Sequence, residues 1–229
     1  YSLFIVGASS LVGAFPKYKQ GLVNLKTALI FGIPSIVSVF ATRKFIVPLI
    51  PNEVFVIGDF MVTKSILMMV LFAILMVAAS ISMIRGKCEQ CEKEKDENFI
   101  DEVQVFNYPM ILLEGAVVGI LTGLVGAGGG FLIIPALVML SKLSMKQAIG
   151  TSLLIIAAKS LIGFIGDMNG DEVIDWQFLG FFSTLAIVGI VAGTFLSKKI
   201  AGEKLKPAFG WFVLIMGIYI IVMEVMKMK

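Results

Sequence analysis

The sequence predicts an all-α membrane protein: a polytopic helical bundle of two inverted repeats, with a glycine-broken re-entrant hairpin opening the second repeat. Three observations predict it. First, the 229 residues are 58% hydrophobic and 15% charged, with a mean hydropathy of +0.97. A soluble domain carries about 45–50% apolar and about 25% charged residues, and one this apolar would expose patches that aggregate. Second, the apolar residues come in long runs without period-two alternation, which favours spanning helices over barrel strands. Third, the two halves repeat one another, and one glycine-rich run is too long for a single straight crossing.

Apolar runs lie at 2–15, 27–42, 65–84, 110–140, 148–166, 176–197 and 207–226. Several approach the ~20 residues a spanning helix needs. Residues 45–63 are apolar but broken by Pro48, Pro51, Glu53, Gly58 and Asp59, so they are expected to form an interfacial or capping loop. The hydrophilic stretch from Arg85 to Glu102 divides the chain. Residues 1–84 read as a first repeat, 85–107 as a charged cytoplasmic linker, and 108–229 as a second repeat. Ser2-Leu3-Phe4-Ile5-Val6-Gly7 through Gly13 lies over Ser152-Leu153-Leu154-Ile155-Ile156-Ala157 through Gly163, and Val23-Asn24-Leu25 lies over Ile174-Asp175-Trp176. The second copy opens with a module, 110–150, that the first lacks. The first repeat is therefore expected to be incomplete at its start, with about 40 further residues before Tyr1 by repeat symmetry.

The module itself suggests its geometry. A straight helix over 110–140 would be about 46 Å long at 1.5 Å per residue, against a hydrocarbon core of ~30 Å. Gly126, Gly128, Gly129 and Gly130 should break it, because glycine is costly inside helices. The run either crosses once with a kink or returns to its own side as a hairpin. Cytoplasmic loops are enriched in Lys and Arg. A hairpin places Arg85, Lys87, Lys93 and Lys95 on one side with Lys142, Lys146, Lys198, Lys199, Lys204 and Lys206, and leaves Asp167, Asp171, Glu172 and Asp175 on the other. A single crossing scatters the lysines. The hairpin is the better reading, and it makes the two copies inverted, a common transporter plan with the substrate between broken helices.

The chemistry is sparse. The absence of histidine excludes imidazole metal sites and imidazole acid–base catalysis, and the net charge of +3 lies in loops and gives no nucleic-acid signal. Cys88-Glu89-Gln90-Cys91 is a lone pair of thiols, whereas zinc needs four ligands; a metal shared across a dimer is the outside reading, a reduced solvated loop the favoured one. The acidic cluster 167–175 lacks the spacing of a calcium loop. No metal and no cofactor are expected. Gly128, Gly129 and Gly130 would leave free N–H groups at the start of a half-helix, suited to an anion; a glycine packing contact is the other reading. Lys159 is the only Lys or Arg between Lys146 and Lys198, and charge within a span is costly and usually functional. Ser152, Lys159 and Gly163 share one helical face, as do Ser2, Ser9 and Gly13. Two polar stripes facing one another, with Lys159 supplying charge, are the expected site; the alternative is a snorkelling lysine and serines bonded to their own helices.

Gly119-x-x-x-Gly123-x-x-Gly126-x-Gly128-Gly129-Gly130-Phe131-x-Ile133-x-Pro135, followed by Gln147-Ala148-Ile149-Gly150-Thr151-Ser152, resembles the sulfite exporter TauE/SafE family of membrane permeases. In that family each half opens with a glycine-rich hairpin and a Gly-Thr-Ser helix start. This chain departs from the pattern in lacking the first hairpin, with Tyr1-Ser2 standing where Thr-Ser would be, and in carrying Lys159. The resemblance implies a multi-pass protein of the cytoplasmic membrane that moves sulfite, a sulfonate or another small anion by alternating access. Gly150, Thr151 and Ser152 join Gly128, Gly129, Gly130, Lys159, Ser2 and Ser9 as the expected substrate contacts. The expected partners are a small anion and the lipid bilayer, with a second copy of the chain as a candidate and no nucleic acid. An anion channel on the same scaffold is the alternative, and a redox protein using Cys88 and Cys91 a weaker one. Single-cysteine labelling tests the topology: a reagent confined to the outside should reach position 171 and spare position 198, and the reverse pattern would defeat the hairpin arrangement.

Overall fold

Why the chain folds as helices follows from its solvent: in lipid every backbone polar group must be satisfied within the segment. The computed structural model describes residues 1–51, 53–57, 60–85, 108–125, 130–139, 141–167, 175–198, 200 and 202–227. The helices are α1 (Ser2–Lys19), α2 (Leu25–Ala41), the short α3 (Val47–Leu49), α4 (Lys64–Arg85), α5 (Tyr108–Val125), α6 (Gly130–Met139), α7 (Met145–Asp167), α8 (Trp176–Lys198) and α9 (Gly202–Lys227). Five stretches within them are long and apolar enough to cross a bilayer, while Pro109–Leu124 and Gly130–Met139 are shorter apolar helices. The chain is an all-α, multi-pass membrane protein in its spanning part.

Residues 45–63 differ from the expected loop. A π-turn, Thr42–Ile46, carries α2 into α3, and the apolar span runs from Leu25 to Leu49. Pro48 sits at the start of α3, directly after the π-turn, and has no N–H to continue the helical ladder. Beyond Pro51, strands Glu53–Ile57 and Phe60–Thr63 pair antiparallel, with Phe55 opposite Val62 and Ile57 opposite Phe60. The β-branched and aromatic residues on both sides of Gly58-Asp59 are the sequence signal for this hairpin. Lys64 Nζ donates to the carbonyls of Val47 and Ile50, tying the start of α4 to the end of α3.

Packing directions can be read from the glycines. Gly7 makes room for Leu161, Gly13 for Leu153 and Ile190, and Gly163 for Leu3, so α1 and α7 run antiparallel. Gly210 faces Met83 and Ile84, and Gly217 faces Ala73 and Val77, so α4 and α9 do the same. Gly115, Gly119 and Gly123 step along Phe31, Ser35 and Thr42 in the same order, so α2 and α5 run parallel with backbones nearly touching. The buried core between these pairs includes Phe31, Met76, Ile133, Leu137, Ile155 and Val213. Helices α5 and α6 lie as a hairpin, because Ser141 Oγ, just past α6, donates to Glu114 Oε2 near the start of α5 at 2.9 Å. The turn after α6 uses Lys142 at φ 51, and the Leu143 N–H reaches back to the Leu137 carbonyl at 3.0 Å, closing the helix end as a left-handed cap does.

Two sets of contacts exchange on a shift of 150 or 151 positions. Leu3 packs on Gly163 and Leu153 on Gly13. Asn24 and Asp175 cap α2 and α8 with their side-chain oxygens. The N–H of Asn24 donates to Thr151 Oγ1 at 3.0 Å, and the N–H of Asp175 to the Tyr1 hydroxyl at 2.9 Å.

The glycine ridge of α5 should therefore resist substitution. A Cβ on Gly119 would lie 2.6 Å from the Ser35 carbonyl oxygen, whereas one on Gly193 meets nothing within 4 Å. Gly119→Leu should destabilise the fold by about 1–3 kcal/mol through overpacking, and Gly193→Leu should leave it close to wild type. Thermal unfolding in detergent reads both; equal midpoints for the two variants would contradict the packing.

Candidate functional site

A buried ammonium is the most demanding group in the fold. Lys159 lies on the fourth turn of α7, 9% exposed. Its Nζ donates to Thr122 Oγ1 on α5 at 2.8 Å, and the Thr122 hydroxyl, 2% exposed, passes its own proton to the Gly119 carbonyl at 3.1 Å. The partner of Lys159 is thus a hydroxyl rather than a carboxylate. Glu114 is eight residues earlier on α5, about 12 Å along the axis at 1.5 Å per residue, and it is engaged at the base of the hairpin.

Helix α2 completes the surroundings. Gly32 faces Ile155, one turn before Lys159, while Gly119 faces Ser35 and Gly123 faces Thr42. Ser35 and Thr42 are 0% and 1% exposed, and neither hydroxyl has a hydrogen-bond partner. Arg43, the next residue along the π-turn, is exposed. The N-terminus of α6 is also close, since Gly130 faces the end of the Ile156 side chain, again about one turn before Lys159. Helices α2 and α5 supply hydroxyls, α7 an ammonium, and α6 its N-terminus, whose first N–H groups have no partner within the helix. Such a set can take up negative charge by hydrogen bonding and by the helix dipole.

The expected site residues divide. Lys159 and Gly130 come together; Gly128 and Gly129 lie outside the described residues. Gly150, Thr151 and Ser152 lie at the other end of α7, about 10–14 Å from Lys159 along the axis. Gly150 packs on the Leu22 carbonyl, Thr151 Oγ1 receives the Asn24 N–H, and Ser152 Oγ donates to the Ile149 carbonyl at 2.9 Å. These three hold the turn between α1 and α2 against α7. Ser2 is exposed, and Ser9 Oγ donates to the Val6 carbonyl of its own helix at 3.2 Å. Ser35, Thr42, Thr122 and Arg43 were not singled out from the sequence. Hydroxyls spaced by seven on α2, opposite glycines spaced by four on α5, were the available signal. Cys88, Cys91, Asp171 and Glu172 fall outside the described residues, and among those described no group of acidic or thiol side chains could hold a metal. A separate apolar groove of about 620 Å³, lined by Leu11, Phe15, Tyr18, Leu25 and Leu154 among others, lies along α1 and has almost no polar lining.

A multi-pass helical bundle with a glycine-started half-helix beside an intramembrane cation defines the class: a membrane protein built around a polar interior. The family described as Sulfite exporter TauE/SafE matches residues 1–220. The chain belongs to that family. It is 30% identical over 156 residues to a probable membrane transporter protein of Xylella fastidiosa (strain 9a5c), covering 67% of this chain and 58% of that one. It is 26% identical over 228 residues to one of Methanocaldococcus jannaschii, covering 96% and 77%, and 25% identical over 198 residues to one of Bacillus subtilis, covering 86% and 71%. The match thus spans under two thirds of the Xylella relative's length. No solved structure matches.

The hairpin base supplies a test of the local chemistry. Glu114 is 5% exposed, and Ser141 is the hydrogen-bond partner of its Oε2. Ser141→Ala removes that donor and should cost about 1–3 kcal/mol. In the Glu114→Leu background the same change should cost little, because the group it leaves unsatisfied is gone. A double-mutant cycle on unfolding measures this; additive effects would mean that the bond contributes nothing.

Proposed function

We propose that this chain forms the membrane-embedded core of a secondary transporter for a small anion, by the family's substrate class sulfite, a sulfonate or another small sulfur-containing or organic anion. It would work in the cytoplasmic membrane by alternating access between two inverted halves. The observation that carries the reading is Lys159. Its ammonium is buried at span depth, bonded to the Thr122 hydroxyl and lying beside the glycine-started N-terminus of α6. A cation there is costly without a carboxylate, water or an anion for company. An arriving anion would meet the ammonium, hydroxyls of α2 and α5, and the amides of α6. Transporters of inverted design place substrate at such half-helix N-termini. The reciprocal Leu3–Gly163 and Leu153–Gly13 contacts, and the matched bonds of Asn24 and Asp175 to Thr151 and Tyr1, support the inverted repeat. The printed names of the relatives, all probable membrane transporter proteins, agree with a permease rather than an enzyme.

Removing the charge tests it. Lys159→Met should fold as well as wild type or better, because a buried charge without a carboxylate is lost. It should bind sulfite, thiosulfate and a small sulfonate far more weakly in calorimetry of the purified protein. Lys159→Arg should recover part of the affinity, since the two cations differ in shape and hydration. Undiminished binding by Lys159→Met would end the case for a site at this lysine.

A further inference from the structure

We propose that the apolar groove along α1 is a lipid site: it takes an acyl chain of an anionic phospholipid, and Lys19 at its mouth takes the headgroup phosphate. The proposal goes beyond the anion-transport reading and does not depend on it.

The groove supplies the shape. Its volume of about 620 Å³ lies within the roughly 300–1,000 Å³ of ligand-binding clefts. Leu11, Phe15 and Tyr18 of α1, Leu25 of α2 and Leu154 of α7 line it. From Leu11 to Tyr18 it follows α1 for about 10 Å at 1.5 Å per residue. Its walls are fixed by the fold. Leu154 packs against the central core, and the bond from the Asn24 N–H to Thr151 Oγ1 holds the α1–α2 turn on α7. Apolar side chains are exposed elsewhere too, such as Val37 of α2 and Val188 of α8. A convex apolar face packs against whichever lipid tails pass it, whereas a concave one between three helices can hold a single chain along its length. Water is a poor filler here, because a buried water needs polar partners.

The charge supplies the partner. Lys19, exposed in the last turn of α1, lies over the ring of the groove-lining Phe15, with Nζ 4.7 Å from the ring centroid. Its ammonium is thereby held at the mouth of the groove. Lys26, also exposed, directly follows the groove-lining Leu25. Lys17, by contrast, is buried and donates from Nζ to Ser197 Oγ at 3.2 Å. No acid offsets the two exposed lysines on the lining helices: α1 and α2 contain no Asp or Glu, and the only one in α7, Asp167, stands at its far end. Basic residues at the edge of a span attract anionic headgroups, and Tyr18 is of the amphipathic kind that gathers at headgroup level. A second copy of the chain fits less well. Meeting this patch by two-fold symmetry, it would bring its own Lys19 and Lys26 against these, like charge against like.

The experiment is native mass spectrometry of the purified protein, titrated with phosphatidylglycerol and, separately, with phosphatidylcholine carrying the same oleoyl chains. Wild type should retain one phosphatidylglycerol per chain under conditions that strip phosphatidylcholine. Lys19→Gln should weaken phosphatidylglycerol about fivefold, as expected for one basic residue at an anionic headgroup, and leave phosphatidylcholine unchanged. Lys19→Arg should keep the preference. Leu11→Trp, which fills the groove, should release both lipids while the unfolding midpoint stays near that of wild type. The Lys19 variants change an exposed position and carry the test by themselves if Leu11→Trp unfolds. Equal retention of the two lipids by wild type, or phosphatidylglycerol held as tightly by Lys19→Gln as by wild type, would overturn the headgroup assignment and with it the site. A folded Leu11→Trp that keeps its lipid would seat that lipid elsewhere and overturn the groove. A lipid-free dimer that Leu11→Trp splits would make a second copy the occupant and overturn the proposal as well.

Discussion

Three glycines set the geometry on which everything else rests. Gly115, Gly119 and Gly123 let α5 lie against α2 with no side chains between the backbones. In a bilayer such contact is how helices gain packing, because lipid tails offer no hydrophobic drive to associate. The same contact fixes where polar groups go. It brings Thr122 to the seam, seats Ser35 and Thr42 opposite it, and sets the level at which α5 ends and α6 begins. A bulkier ridge would move the hairpin outward and separate Thr122 from Lys159.

The second constraint is charge. An ammonium held within a span needs dipoles aimed at it, water, or an anion beside it. Lys159 has one hydroxyl, which itself leans on a backbone carbonyl. That is modest company for a full charge. The hydroxyls of Ser35 and Thr42 stand nearby without partners. Donors and a cation without matching acceptors describe a place suited to a guest of negative charge. Near the start of α7, Gly150 packs on the Leu22 carbonyl and Thr151 Oγ1 takes the Asn24 N–H, so both hold the α1–α2 turn.

How much of this was legible from the chain can be judged residue by residue. The spans were, because a run of ~20 apolar residues has few other solutions. So was the hairpin over 110–140, from its excess length and from the lysines, and the bond from Ser141 to Glu114 is its counterpart in space. The strands at Glu53–Ile57 and Phe60–Thr63 were missed, since the prolines and charges there drew attention from a β-branched pattern around Gly58-Asp59. Lys159 stood out because a charge within a span is costly, even though a snorkelling side chain was the other reading. Thr42, Ser35 and Thr122 did not, because a hydroxyl in a helix normally bonds its own backbone.

The sequence by itself determined the solvent, the rough limits of the long helices, and the one lysine that must be accommodated at depth. These are local or compositional properties, and each follows from the cost of exposing polar groups to lipid. Only the tertiary structure decided which helices meet. It put α5 parallel to α2, α1 antiparallel to α7, the start of α6 beside Lys159, and Gly150 and Thr151 away from it. It also left Thr42 and Ser35 unpartnered. Which hydroxyl lacks a partner depends on what packs beside it, and that depends on residues 80 or more positions away, which no local pattern encodes.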